Sequence, residues 1–352
     1  MVFREVKIRP FVDFTCQRPA CYTHALSVSN SNSEGGYCMD ENFCTVRKLI
    51  GWALAVGVAG VVCSPAWAKT VKVEFTAIET EVVIDNKGTK YKAWTFNGQF
   101  PGPVVRATEG DTIEFSLTNP KTNTFPHSMD FHAGEMDFLK NHKQVERGET
   151  HHITFTPKKP GIFFYHCGVQ PMIQHIARGM MGAIIIDPKD PNALPKADRE
   201  YVLVQSELWN NPDDVQGMFD RKYDGAMFNG GIFKYHPFLG GKPLEAKLGE
   251  RVRIYIVNAG PNNFSAFHPI GEIWDNAWAS GNPANKLTGV QTVVVGPGDA
   301  YTVDVVVENE GGYPLVTHSL TDALRGAIAV LLVKKDAKTL PLMPFVEPAR
   351  TK

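Results

Sequence analysis

Tyr165-His166-Cys167 is followed by His175, eight residues after the cysteine, and by Met180 five residues beyond that. Cys167 is the only cysteine after position 63. A thiolate, an imidazole and a thioether at this spacing are three of the four donors of a blue-copper electron-transfer centre. Soft sulfur ligands suit copper, and a trigonal His2Cys site with a long axial methionine is the electron-transfer geometry. One histidine is missing from the set. The plain alternatives are an inert buried thiol at Cys167 and a core methionine at Met180, with Met172 or Met181 as other candidates for the axial position.

A second histidine-bearing stretch stands upstream, Pro126-His127-Ser128-Met129-Asp130-Phe131-His132. Successive side chains on a strand point to opposite faces, so adjacent His166 and Cys167 cannot serve one metal from a regular strand. His127 and His132, five apart, face opposite ways, whereas Asp130 and His132 share a face. This parity sorts the residues into two sets. His127, Cys167, His175 and Met180 complete a blue-copper site. Asp130, His132 and His166 form another site that wants a third imidazole, with a carboxylate placed for proton transfer.

The elements that must hold these residues read as all-β. From Lys69 onward short alternating strands are broken by Gly, Pro and Asn, and no long 3.6-residue period occurs. The turn and strand of residues 105–119 recur at 244–258 with matching Ala, Gly, acid, alternating apolar and Asn positions, and Phe96-Asn97-Gly98 recurs as Phe228-Asn229-Gly230. A repeat of this length means duplicated domains. The expectation is two tandem β-sandwiches, 69–188 and 200–338, joined by a Pro- and charge-rich linker at 189–199 and followed by a tail, 339–352. Aligning the ends of the copies pairs His166 with His318 and Cys167 with Ser319. The second copy has lost the thiolate and kept the histidine, which makes His318 the natural third imidazole of the second set.

At 352 residues with 43% hydrophobic content the chain can bury two cores, and a net charge of -1 gives no basic footprint for nucleic acid. Residues 39–68 read as a secretory signal, with basic Arg47 and Lys48, an apolar run from Leu49 to Val62, and Ala66-Trp67-Ala68 as the cleavage site. The apolar run is shorter than the roughly 20 residues a bilayer span needs, so no membrane attachment is expected after cleavage. Residues 1–38 form an extension of unassigned role. Its Cys16, Cys21 and Cys38, taken with Cys44, match no common zinc spacing. The mature chain is then exported to the periplasm with one cysteine, which cannot form an internal disulfide.

With these motifs in hand, the sequence resembles the two-domain copper nitrite reductases of the cupredoxin superfamily. The motifs are 126–133, Tyr165-His166-Cys167, His175 through Met180, Phe267-His268-Pro269-Ile270-Gly271-Glu272 and His318-Ser319. The resemblance implies two cupredoxin-like Greek-key sandwiches. It implies a type 1 copper on His127, Cys167, His175 and Met180, and a type 2 copper on His132, His166 and His318, where nitrite is reduced to nitric oxide in denitrification. It places Asp130 and His268 over the catalytic copper and lets Ile270 shape the pocket. His318 would reach a neighbouring subunit's copper in a homotrimer, and the electron donor would be a small cupredoxin or a cytochrome c.

The segment Gly134–Glu149 and the extension 1–38 depart from the family pattern. His142, His151, His152 and His236 read as surface or loop residues, and His236 has no assigned role. Two rival readings are weighed against the family. A laccase-like multicopper oxidase needs His-x-His pairs and a His-Cys-His core, yet Gly168 follows Cys167. A cupredoxin-type electron carrier without catalysis leaves the retention of His132, His166 and His318 unexplained.

Overall fold

The computed structural model describes residues 68–337, all of which fall within one compact unit. The extension 1–38, nearly all of the expected signal segment 39–68 and the tail 339–352 lie outside the described residues. Among the described residues no helix is long and apolar enough to cross a membrane.

The chain folds as two β-sandwiches. The first pairs a sheet ordered Lys90–Phe96, Thr70–Val83, Thr112–Thr118, Thr150–Phe155 with a sheet ordered Val105–Thr108, Met181–Asp187, Gly161–His166, Asp130–Phe131. The second pairs a six-stranded sheet, Gly225–Phe228, Arg199–Leu208, Arg251–Gly260, Ala300–Val306, Trp274–Ala279, Lys286–Val290, with a five-stranded one, Leu244–Lys247, Ile328–Lys334, Gly311–Thr317, Ser265–Pro269, Val293–Val295.

The duplication is visible in the topology. Thr70–Val83 runs parallel to Thr112–Thr118, and Arg199–Leu208 runs parallel to Arg251–Gly260. Val105–Thr108 runs parallel to Met181–Asp187, as Leu244–Lys247 does to Ile328–Lys334. Both Asn-Gly pairs sit with positive φ, Asn97 at 56° and Gly98 at 72°, Asn229 at 48° and Gly230 at 68°. That is the tight-turn geometry for which Asn and Gly carry the least steric penalty.

Each sandwich has its own core. Val73, Phe75, Ile113, Phe115, Phe131, Tyr165 and Ile184 centre the first, and Ile254, Phe267, Trp274, Val303 and Leu331 the second. A third apolar layer lies between them. Ile162, Phe164, Ala183 and Ile185 of the first sandwich pack on Val202, Val204, Tyr255 and Val257 of the second. Met181–Asp187 therefore reads as a near-continuous apolar run, because both its faces are covered. Arg106 locks the junction, bonding Asp187 at 2.7 Å and Glu200 at 2.6 Å, one on each side of the linker.

Candidate metal centres

The strand Gly161–His166 sorts its side chains between two apolar layers. Phe163 and Tyr165 face the first core, where Cys167 also lies, while Ile162 and Phe164 face the layer between the sandwiches. His166 continues the second side, its ring stacked on Phe164 at 4.9 Å between centroids. The segment before it divides in the same way. Met129 and Phe131 belong to the first core, and Asp130, paired across the sheet with His166, looks outward. Alternation on two antiparallel neighbours thus sends adjacent residues to separate sites.

On the inner side, His127, Cys167 and His175 bring one ligand atom each to within 4.8 Å of one another, and all three residues are buried. The Cys167 thiol is free, and His175 Nδ1 lies 3.3 Å from its Sγ. His175 stands on the short helix Met172–Ala177. Met180 is fully buried in the same core, and its backbone ties the loop together: Cys167 N–H donates to the Met180 carbonyl and Met180 N–H to the His175 carbonyl, both at 3.0 Å.

This pocket suits a metal ion with affinity for sulfur. His127 Nδ1 is buried with no hydrogen-bond partner, and Nε2 has only the Glu79 carboxylate at 3.5 Å; a buried, unpartnered nitrogen is costly unless something else binds it. Burial lowers His127 to about 4, against the opposing pull of Glu79, and lowers His175 to about 3, so both rings are neutral donors at pH 7. Burial pushes the Cys167 thiol up to about 11. The Ser128 amide N–H points at its sulfur from 3.3 Å, which favours a thiolate once a cation shares the site. A soft thiolate with two imidazoles, in a core that also buries the Met180 side chain, is a set that suits copper.

On the outer side, Asp130, His132 and His166 form a second group within 4.8 Å. His166 Nδ1 donates to the Cys167 carbonyl at 2.9 Å, leaving Nε2 with a lone pair. That Nε2 lies 3.3 Å from His132 Nε2, a separation two nitrogens can span when each binds one ion at about 2 Å. Burial lowers the His166 pKa, which keeps its lone pair available. Asp130 Oδ2 is 3.7 Å from His166 Nε2. His132 is exposed, so the pair opens outward rather than into the protein.

His318 is not among the residues of this group within one chain. It is exposed at the end of Gly311–Thr317, its ring 5.0 Å from that of His268, which donates from Nδ1 to the Gln291 carbonyl at 2.6 Å. Ile270 is 43% exposed beside them. His268, Ile270 and His318 thus make a separate surface on the second sandwich.

Three further residues touch these sites. His142, expected to be a surface or loop residue, is only 11% exposed at its side chain, and its Nε2 donates to Asp130 Oδ1 at 2.7 Å. Glu79 lies 3.5 Å from His127 Nε2. Trp94 packs against the rings of His175 and His127 at 4.6 and 5.8 Å, with the Arg178 guanidinium over it at 4.5 Å. None had a spacing signal: Glu79 and Trp94 arrive from distant segments, and His142 from an irregular loop that follows His132. His151 donates from Nε2 to the Asn141 carbonyl at 3.2 Å, His152 is exposed, and His236 caps a short 3-10 turn with its Nδ1 buried and unpartnered.

Known proteins share this architecture. A multicopper oxidase family model matches residues 77–191. The solved copper nitrite reductase of Nitrosomonas europaea is 54% identical, with a TM-score of 0.76 over 76% of this chain and 95% of that one. The copper-containing nitrite reductase of Thermus scotoductus is 31% identical, with a TM-score of 0.71 over 81% of this chain and 68% of that one. Its counterpart in Neisseria meningitidis serogroup A is 35% identical over 277 residues, 75% of this chain and 69% of that protein. With a donor set suited to copper, a duplicated sandwich and identity of this extent, the chain belongs to the copper-containing nitrite reductases.

Proposed function

We propose that the chain reduces nitrite to nitric oxide and water, taking up one electron and two protons, with two coppers per chain in separate roles. The observation that carries this reading is the single peptide link between His166 and Cys167, which belong to different donor groups. Bound copper supplies a one-electron store at the buried set and a Lewis-acidic, reducible centre at the open one.

His127, Cys167, His175 and Met180 would hold the type 1 copper, shielded from water by full burial. His132 and His166, with His318 of a neighbouring subunit, would hold the type 2 copper. The exposed, divided placement of His132 and His318 supports a homotrimer whose sites lie between subunits. Asp130 sits beside the ligand pair to hand on a proton, His268 would face it from the adjoining subunit as the second proton-handling group, and Ile270 would close over the substrate. The apolar run and cleavage pattern of residues 39–68 support periplasmic work in denitrification, with a cupredoxin or cytochrome c as donor. Gly168 stands where a laccase-like centre needs an imidazole.

Copper counting with electron paramagnetic resonance tests the reading. Two coppers per chain are expected, with only the type 2 signal shifting on nitrite addition. Cys167→Ala should lose the visible thiolate-to-copper absorption and keep the nitrite-sensitive signal. Retained colour would reject the assignment.

A further inference from the structure

The segment Gly134–Glu149, which departs from the family pattern, does something specific to Asp130. Its short helix Phe138–Asn141 ends on His142 as C-cap, with the His142 amide bonded to the Phe138 carbonyl at 3.0 Å. The helix is pinned at both ends. Asp137 accepts from Lys140 N–H at 3.3 Å, and the His151 ring donates to the Asn141 carbonyl. Three residues beyond His142, Val145 exchanges both backbone hydrogen bonds with His127, at 2.8 and 3.2 Å. The His142 ring is stacked on Phe138 at 4.7 Å and 23°. The ring is therefore held on two sides: Nδ1 lies 3.2 Å from the Phe138 carbonyl oxygen, and Nε2 points at Asp130 Oδ1.

We propose that His142 is a positioning residue for Asp130, fixing the carboxylate so that one oxygen stays bound and the other faces the His132–His166 pair. This inference rests on the reading of Asp130 as the proton-handling group. An aspartate's terminal torsion is broad and roughly two-fold, and a partly exposed carboxylate on a two-residue strand has little else to hold it. The 2.7 Å bond to Oδ1 lies at the short end of the N–H···O range, as a charge-assisted bond does. Oδ2 is left 3.7 Å from His166 Nε2, free to meet substrate or water. The foreign loop thus supplies from within the chain an orientation that the strand alone does not, and misplacing such a group by about 1 Å is enough to cost rate.

The test compares His142→Gln, which keeps an N–H donor, with His142→Met, of similar shape and without one, in the full-length copper-loaded protein. H142M should lower kcat about 10-fold or more, with KM for nitrite, copper content and the type 1 spectrum unchanged, and H142Q should recover most of the rate. In an Asp130→Asn background the same H142M change should alter kcat by less than about 2-fold, because two residues that act as a unit are not additive. A crystal structure of copper-free H142M should show the Asp130 carboxylate rotated from its present orientation. The inference is overturned by H142M turning over like the parent, by an equal loss in both backgrounds, which would make His142 only a loop staple, or by an unmoved carboxylate. Normal turnover in D130N alone would overturn the proton-delivery reading, whereas a dead D130N with a normal H142M would overturn only the role of His142.

Discussion

His127 and His175 show what burial does to a ligand before any ion arrives. Both rings are held neutral, titrating at about 4 and about 3 against an ordinary 6.5, with burial as the leading cause. In the unfolded chain these rings take up protons below pH 6.5, while in the folded apoprotein they do so only near the lowered values. The unfolded state therefore binds more protons in between, and folding stability falls as pH drops from about 6.5 toward 4 and below, by up to about 1.4 kcal/mol per pH unit for each ring. Cys167 works at the other end, since a thiol pushed up to about 11 withdraws stability as pH rises above its ordinary 9. The apoprotein's melting temperature should fall between pH 7 and pH 5, and His175→Phe should flatten that fall. An identical slope in the variant would show that the ring is not held neutral by the fold.

The elements matter because one strand has to serve two layers. Gly161–His166 keeps Tyr165 in the first core, hydrogen-bonded to the Pro103 carbonyl at 2.7 Å, and commits Ile162 and Phe164 to the layer between sandwiches. Ile185, on the neighbouring strand, packs in that same layer. Truncating it to Ala should cost about 2–5 kcal/mol, the usual range for a buried large-to-small change. It should also loosen the strand that carries His166 more than the loop that carries His175. Hydrogen exchange would check this: faster exchange at residues 161–166 with protection retained at the Met180 amide is expected, and uniform loss across both would mean that the layer does not support the strand selectively.

At the scale of the whole molecule, the second sandwich contributes an exposed surface carrying His268, Ile270 and His318 rather than a second buried centre. If His318 serves a neighbour, His132→Ala and His318→Ala each destroy every site in a pure trimer, yet mixed trimers contain intact sites built from the sound half of each chain. Unfolding and refolding the two variants together should restore a substantial fraction of type 2 copper and nitrite reduction. No recovery on mixing would mean that each chain completes its own site.

The two sandwiches were legible because a duplicated pattern of turn glycines, asparagines and alternating apolar residues specifies backbone conformation locally. The same is true of which side chains share a face around His127–His132 and His166–Cys167: a period of two is a property of the strand itself, independent of what packs on it. The sequence could not show that His142 reaches Asp130, that Glu79 lies by His127, or that Arg178 covers Trp94 above the His175 ring. Those partners come from segments related by no period, and only the packing of the loop and sheets decides their distances. His142 illustrates the limit: from spacing alone it is one more loop histidine, and a short helix capped, stacked and pinned at both ends turns it toward a single carboxylate oxygen.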